Sequence, residues 1–308
     1  MNSTRAITIP TGRFNFNSQT EADCRFMFRF GKTDIPELAR LLGFPDPFIT
    51  KARYHATAIE VVCIMLIRLA WPHRLGSMVQ TFGRSREALS ALSNAAMLHV
   101  YERFGHLLDW DYQRLDSQWM QRCGDAIYMQ GAPLKTCIGF IDGTRKHALK
   151  YQAVMSPDGI IVHLHGPEPG SRHDAYLLAR SQLVSKLQDK LPVENTRYVI
   201  YGDPAYGIND VIASGIKGAR LDVREAEFNR RMSAVRVSVE WGFGIVRNLW
   251  TFVDYRGGQK LWFHAVGVHY SVAVILTNVH TCMKEGNQVS SYFGMKPPTA
   301  EEYLRPQA

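Results

Sequence analysis

Hydrophobic residues recur every three or four positions along the first half of the chain, and that period predicts helices. The strongest pattern runs from Ala56 to Leu69 and predicts a core helix that stops before Pro72. Another helical stretch is predicted over residues 101–135. We therefore predict a helical region over residues 33–135, preceded by a polar, loosely ordered N-terminal arm over residues 1–32.

Two helices within this region have the pattern of a helix-turn-helix. A short helix over Leu75–Phe82 is followed by a turn at Gly83, after which Ser85 can cap a longer helix. In a DNA-binding version the second helix enters the major groove, and Arg84 and Arg86 are then candidate DNA contacts. An ordinary pair of packed helices in an all-helical region explains the same pattern.

After residue 135 the hydrophobic period changes to that of strands. The predicted strands are Cys137–Ile141, Leu149–Met155, Ile160–His165 and Tyr198–Gly202. The predictions that follow are a loop over residues 208–224, one helix over residues 228–246, another over residues 261–283 and a tail over residues 285–308. Residues 136–284 are therefore predicted to form one α/β domain with a mixed sheet.

Three acidic residues stand at comparable places in this second domain. Asp142 and Asp203 each follow an apolar strand, and Glu240 lies on a predicted helix. Strand ends in an α/β sheet meet in one crevice, and a helix packed over that crevice can supply a third carboxylate. Clustered carboxylates raise one another's pKa unless a cation offsets their repulsion. Because Mg²⁺ and Mn²⁺ prefer oxygen ligands, the pattern predicts a divalent-metal site.

Each of these acids has a simpler explanation when it is taken alone. Asp142 followed by glycine is a common way for a chain to leave a strand, and Glu240 is spaced to form an i,i+4 ion pair with Arg236. The mid-helix glycines Gly242 and Gly244 fit either the close approach of a DNA backbone or tight packing on the sheet. The metal-site hypothesis therefore depends on the three acids together.

Charge and composition favour a nucleic-acid partner. The chain of 308 residues has a net charge of +8 and a pI of about 9.3, and 46% of its residues are hydrophobic, enough for a globular core. Arg230, Arg231 and Arg236 lie off the apolar stripe of their predicted helix and are further candidate DNA contacts.

Five widely spaced cysteines without a Cys-x-x-Cys motif argue against a disulfide framework and a structural zinc site. With no signal-peptide pattern, we expect an intracellular protein that has no membrane partner.

Several blocks of the second domain occur in an order that identifies a family. They are Phe140–Thr144, Gly170–Asp174, Tyr201–Gly207, Phe228–Arg230 and Val239–Gly244. Together they resemble the PIF/Harbinger-type DDE transposases, a group of DDE superfamily endonucleases. The resemblance covers residues 137–284 and implies an RNase H-like fold, Mg²⁺ or Mn²⁺ as cofactor, and Asp142, Asp203 and Glu240 as catalytic, metal-binding triad. It also implies DNA as substrate, a separate Myb-like DNA-binding partner protein and a nuclear location.

One departure from the family concerns the segment after the first aspartate. Family members typically carry a longer Arg- and Pro-rich segment there, whereas here Thr144 runs straight into Arg145, so the first two strands must join by a very tight turn. Our leading hypothesis is a metal-dependent, transposase-like endonuclease. The alternative is a catalytically inactive, transposase-derived DNA-binding or protein-interaction protein, and a third hypothesis is another metal-dependent phosphoesterase on the same fold.

A few other residues carry weaker signals. His163 and His165 alternate along one strand, which fits a half-exposed strand face or two metal ligands. Tyr206 either stacks on a nucleic-acid base or covers the edge of the sheet. The pair His173 and Asp174 recurs in the family, and we expect it near the site without a ligand role.

Overall fold

Helices dominate the first part of the chain and a mixed sheet the second, as the change of hydrophobic period predicts. The computed structural model describes residues 8–72, 74–146, 148–188, 191–193, 196–254 and 266–305. Its helices are α1 (Glu21–Phe28), α2 (Asp34–Leu41), α3 (Ala58–Ala70), α4 (Leu75–Phe82), α5 (Arg86–Phe104), α6 (Ser117–Met129), α7 (Asp174–Ser181), α8 (Leu183–Gln188), α9 (Val223–Arg236), α10 (Ser238–Leu249), α11 (Val266–Met283), α12 (Gln288–Phe293) and α13 (Ala300–Tyr303). Its strands are β1 (Phe48–Ile49), β2 (His55–Ala56), β3 (Cys137–Lys146), β4 (Leu149–Met155), β5 (Ile161–Pro169), β6 (Pro192–Val193), β7 (Thr196–Arg197), β8 (Val199–Gly202) and β9 (Ile212–Ser214).

The chain divides into two units. One takes in residues 1–103 and 247–273, and the other takes in residues 104–246 and 274–307. This division differs from the predicted boundaries after residues 135 and 284, because α6 packs on β3 and α12 packs on α6.

The first unit is built around α3, which is buried along almost its whole length. Glu60 is a charged residue of this helix that is nevertheless buried. Its carboxylate accepts hydrogen bonds from Arg84, from Nε at 2.5 Å and from Nη2 at 2.8 Å. The predicted turn between α4 and α5 is confirmed, since Gly83 has a φ of +60°. The hydroxyl of Ser85 accepts a hydrogen bond from the N–H of Ala88 at 3.2 Å, as expected of an N-cap.

Part of the predicted N-terminal arm is an ordered helix. α1 begins with a capping box between Thr20 and Asp23, and it buries Cys24 and Phe28 completely. The prediction of a loosely ordered arm is therefore wrong for residues 21–28, where two buried residues four positions apart supply an apolar face among polar neighbours. Residues 1–7 of the predicted arm lie outside the described residues.

The second unit contains a five-stranded sheet with the order β5-β4-β3-β8-β9. β3, β4 and β5 pair antiparallel, whereas β8 runs parallel to β3 and β9 runs parallel to β8. The predicted mixed α/β, RNase H-like fold after a helical region is therefore confirmed. The predicted loop over residues 208–224 is wrong where β9 lies, because a three-residue strand is too short to show a period.

Strand β5 forms one edge of the sheet, and other parts of the chain bond to its backbone. The side-chain amide of Asn278 on α11 accepts from the N–H of Ile161 at 3.0 Å and donates to its carbonyl at 2.9 Å. The same amide donates to the hydroxyl of Tyr303 at 2.8 Å. Farther along β5, the N–H of Trp110 donates to the carbonyl of Val162 at 3.2 Å. The bonds of Asn278 fasten α11 to the sheet and α13 to α11.

The predicted tail is folded. Phe293 on α12 stacks on Phe140 of β3 with ring centroids 6.1 Å apart, and Val289 and Tyr303 are buried. The prediction of a tail is therefore wrong for residues 288–304, where a few large apolar side chains anchor a segment rich in small and polar residues. Residues 306–308 lie outside the described residues.

The predicted helix over residues 228–246 is in fact two helices, α9 and α10, that meet at Val237. The hydroxyl of Ser238 donates to the carbonyl of Val235 at 2.8 Å, a local bond that competes with the regular helical ladder. The next predicted helix is confirmed from Val266 as α11, while residues 255–265 lie outside the described residues. Among the helices described, α11 alone is long and apolar enough to span a membrane, and 78% of it is buried within the protein, as in a core helix.

Candidate active site

The parallel ladder between β3 and β8 ends where the two predicted aspartates begin. Its last register pair joins Ile141 to Gly202, and Asp142 and Asp203 are the next residues of the two chains. Neighbouring strands lie about 4.8 Å apart, so the two backbones present these aspartates side by side at the same end of the sheet. β3 does not end at Ile141 as predicted but continues to Lys146, because β4 pairs with it over that length.

Both carboxylate oxygens of Asp142 accept hydrogen bonds. Oδ1 accepts from the N–H of Gly143 at 2.7 Å, and Oδ2 accepts from Nη1 of Arg236 at 2.8 Å. Burial raises the pKa of Asp142, the Gly143 N–H and the Arg236 guanidinium oppose that rise, and the charge of Glu240 adds to it. The negative charge of Asp142 therefore depends on the partners that the fold brings to it.

Arg236 lies between two members of the predicted triad. Besides its bond to Asp142, its Nη2 lies 3.8 Å from Oε1 of Glu240. The Arg236 side chain is 21% exposed, whereas that of Glu240 is 58% exposed. The i,i+4 ion pair anticipated from the sequence is thus present, and the same guanidinium also reaches an acid 94 positions away in the chain.

Asp203 faces a short helical turn that follows β8. Its Oδ1 accepts from the N–H of Ala205 at 2.8 Å, which caps that turn. Tyr206 in the turn is 4% exposed, which confirms that it covers the sheet edge instead of offering its ring to a base. Burial raises the pKa of Tyr206, and the charges of Asp174, Asp142 and Asp203 raise it further. The three aspartates therefore lie around one tyrosine.

Asp174 is a fourth acid at this end of the sheet. Its Oδ1 lies 2.8 Å from Nζ of Lys150 and 3.5 Å from the hydroxyl of Tyr206. Gly143 makes room for it, since a Cβ added there would overlap Asp174 Oδ1. Asp174 is predicted from its motif to lie near the site without a ligand role. Lys150 is not among the predicted site residues, and its only signal in the sequence is its position on the predicted strand β4, which pairs with the strand of Asp142.

The donor atoms gathered here suit a hard divalent cation. They are carboxylate oxygens, as Mg²⁺ and Mn²⁺ prefer, and the Arg236 guanidinium already places positive charge between Asp142 and Glu240. Within the described residues, no three His, Cys, Asp or Glu side chains are grouped so that they could hold a metal ion. The fold brings the predicted triad to one region without closing a ligand set, and its role as metal site stays a prediction.

The five arginines predicted to contact DNA differ in their surroundings. Arg84 and Arg236 form ion pairs with acids and are 12% and 21% exposed. Arg231 is partly buried, and its Nε donates to a backbone carbonyl at 2.7 Å. Arg86 and Arg230 are exposed, and Arg230 forms a surface ion pair with Glu227 of the same helix at 2.7 Å. A role in DNA binding stays a prediction for all five, and Arg86 and Arg230 present their side chains most openly to solvent.

The turn between β3 and β4 is as tight as predicted. The register continues to the pair Lys146 and Leu149, so two residues join the strands, of which His147 lies outside the described residues. The N–H of Gly170 donates to the carbonyl of Ala148 at 2.6 Å. The pairing of β3 with β4 therefore extends four residues past Asp142, to Lys146.

The two histidines of β5 occupy different settings. His163 is 2% exposed, so the predicted half-exposed strand face is wrong at this position. Neither of its ring nitrogens has a hydrogen-bond partner in the described part of the chain, and Nδ1 lies 3.9 Å from Oδ1 of Asp109. His165 is less buried, and its Nε2 lies 3.5 Å from Oε1 of Glu168. The His165 side chain is 24% exposed, as expected of a half-exposed strand face.

Comparison with known proteins agrees with the sequence motifs. Residues 138–278 match the family of the DDE superfamily endonuclease. The matched segment begins in β3, ends in α11 and contains Asp142, Asp203 and Glu240. The predicted resemblance to DDE transposases is therefore confirmed for this segment.

One curated relative also matches the chain. It is "Protein ALP1-like" from Arabidopsis thaliana, which is 24% identical in an alignment of 217 residues that covers 63% of this chain and 53% of the relative. The chain thus spans about half the length of the curated relative that it matches. No solved structure matches the chain with significance.

Proposed function

Because residues 138–278 carry a DDE superfamily endonuclease domain, we propose that the protein is a transposase-like endonuclease that cleaves phosphodiester bonds of DNA. One observation supports this proposal above others. At the end of the β3–β8 ladder, Asp142 and Asp203 are neighbours, and the guanidinium of Arg236 connects Asp142 to Glu240. A net charge of +8 suits a polyanionic substrate.

In this proposal Asp142, Asp203 and Glu240 hold a divalent cation, Mg²⁺ or Mn²⁺. When bound, such a cation activates the attacking oxygen and stabilises the leaving oxygen of a phosphodiester. The chain contributes fixed positions: the Gly143 N–H orients Asp142, and the bond to Ala205 orients Asp203. Carboxylates held in place by the backbone keep their geometry when the substrate arrives.

The biological setting is part of the same proposal. Cleavage at a transposon end, strand transfer by the freed 3′-hydroxyl, work with a separate Myb-like DNA-binding protein, and a nuclear location all follow from the PIF/Harbinger-type resemblance. A DNA substrate and the basic pI of about 9.3 support the nuclear location.

A nicking assay on supercoiled plasmid DNA tests the enzymatic proposal. The purified wild-type chain should nick DNA with Mn²⁺ or Mg²⁺ and stop when EDTA is added. Asp142→Asn, Asp203→Asn and Glu240→Gln should each lose more activity than the ~10- to 100-fold that removal of an outer hydrogen-bond partner costs a metal site. Asp210→Asn is the matched control, since Asp210 is an exposed aspartate paired with Arg197. Equal nicking by wild type and Asp203→Asn would contradict the proposal.

A second candidate is a DNA-binding protein that has lost cleavage. The observation that favours it is the internal neutralisation of the acids, with Arg236 on Asp142 and Lys150 on Asp174. It predicts no nicking with any metal, together with DNA binding that weakens as salt rises and ignores EDTA. Arg230→Glu should then weaken binding, because Arg230 is an exposed cation on α9. Unchanged binding by that variant would reject this candidate.

A further inference from the structure

The guanidinium of Arg236 occupies the space between two carboxylates that the proposed function gives to a metal ion. Nη1 lies 2.8 Å from Asp142 Oδ2, and Nη2 lies 3.8 Å from Glu240 Oε1. Two different nitrogens of the planar guanidinium face two different acids. Arg236 therefore places positive charge between Asp142 and Glu240, where a bound metal ion would also place it. Arg236 is also the last residue of α9, and rotation about its side-chain bonds can move the guanidinium while the helix stays intact.

The two hydrogen bonds of Asp142 indicate that a bound metal ion would displace Arg236 and not the N–H of Gly143. Oδ1 is held by the N–H of Gly143, which is part of the β3 backbone and cannot move away independently. Oδ2 is held by a side chain, which can rotate. A divalent cation placed beside Oδ2 would also meet the positive charge of Arg236 at short range, where like charges repel strongly in a partly buried site.

We propose that Arg236 is a positioning residue that stands in for the metal ion: it holds Asp142 and Glu240 in the metal-free protein and competes with the divalent cation for them. This inference rests on the proposed function, since it concerns the same site. Without metal, the guanidinium offsets the repulsion between the two acids and keeps them in place. When metal binds, Arg236 gives up its bond to Asp142.

Mn²⁺ binding measured by electron paramagnetic resonance of the free ion tests the competition without relying on activity. Arg236→Gln should bind Mn²⁺ about tenfold more tightly than wild type, because the competing charge is gone. Its melting temperature without metal should fall below that of wild type, and Mn²⁺ should raise it by a larger amount. Arg197→Gln is the matched control: it also breaks an arginine–aspartate pair of 2.8 Å, but one exposed on the surface, and should leave Mn²⁺ affinity unchanged.

Two further variants separate this inference from the proposed function. If Asp142→Asn binds Mn²⁺ as tightly as wild type, the metal site itself is wrong. If Asp142→Asn weakens binding but Arg236→Gln binds no more tightly than wild type, the site stands and the competition is overturned. Should Arg236→Gln fail to fold by circular dichroism, Arg236→Met replaces it. Methionine keeps a long unbranched side chain without the charge, so its Mn²⁺ affinity should also exceed that of wild type, and an equal or lower affinity would overturn the competition.

Discussion

His163 on β5 gives the most direct test of how burial controls the stability of this protein. Burial, together with smaller effects of the charges of His165 and Lys186, lowers the pKa of its imidazole to about 3. Asp109 lies 3.9 Å away, but Nζ of Lys186 lies 2.6 Å from that carboxylate. Protonation would therefore create an uncompensated charge beside the sheet, so the folded protein keeps His163 neutral.

The direction in which the free energy of unfolding changes with pH follows from whether the folded or the unfolded chain takes up a proton on His163. In the unfolded chain a histidine has a pKa of about 6.5, whereas the folded protein takes up this proton only near pH 3. The stability that depends on neutral His163 is therefore complete above about pH 6.5 and falls by about 1.4 kcal/mol for each pH unit below it. Between about pH 7.5 and about pH 5, the free energy of unfolding should fall by about 2 kcal/mol through this residue.

Urea denaturation of wild type and His163→Leu across that pH interval measures the contribution. The leucine variant cannot take up the proton, so its free energy of unfolding should fall by about 2 kcal/mol less than that of wild type. His173→Gln, which removes an exposed histidine, should retain the wild-type pH dependence. If wild type and His163→Leu lose the same stability, His163 is not the buried neutral group described and the reasoning is refuted.

Two further predictions concern packing. Asn278→Ala should lower the free energy of unfolding by about 3 kcal/mol, because the N–H and carbonyl of Ile161 both lose their partner; a loss below about 1 kcal/mol in urea would show that water replaces the amide. Gly242→Ala should cost about 1 kcal/mol, because its new methyl group would overlap the terminal methyl group of Met155 and that buried side chain must shift. Gly244→Ala is the matched control: its new methyl group meets no atom of the described residues within 4 Å, and the variant should gain up to about 1 kcal/mol. Equal melting temperatures for these two glycine variants would contradict the close packing of α10 on the sheet.

The parts of the fold that could be predicted are those whose environment is decided by sequence neighbours. α4 and β4 have the predicted bounds Leu75–Phe82 and Leu149–Met155, because a regular hydrophobic period marks each of them. Asp142 and Asp203 could be predicted as a pair, since each ends an apolar run that enters the same parallel ladder. For the mid-helix glycines, the contact between Gly242 and Met155 favours tight packing over room for DNA at that position.

The features of the fold and the site that could not be predicted depend on contacts between residues far apart in the sequence. Arg236 lies off the apolar stripe of its helix, which indicates solvent or DNA, yet its shortest ion pair is with an acid 94 positions away. The extension of β3 past Asp142 requires pairing with β4, which no local period reveals. α12 lies in a segment rich in small and polar residues, and Phe293 is held by a ring that is far away in sequence. Sequence neighbours alone contain none of this information.

Strand β5, one of the two edge strands of the sheet, offers few free backbone groups with which a second polypeptide could pair. Strand addition needs a row of unpaired N–H and C=O groups. At the start of β5 the N–H and carbonyl of Ile161 are engaged by Asn278, and the carbonyl of Val162 accepts from Trp110. At its end, residues 167 and 169 are prolines, which have no N–H to donate. A strand added along β5 would have to displace these bonds at its start and would lack donors at the two prolines, so edge-to-edge growth through β5 is disfavoured.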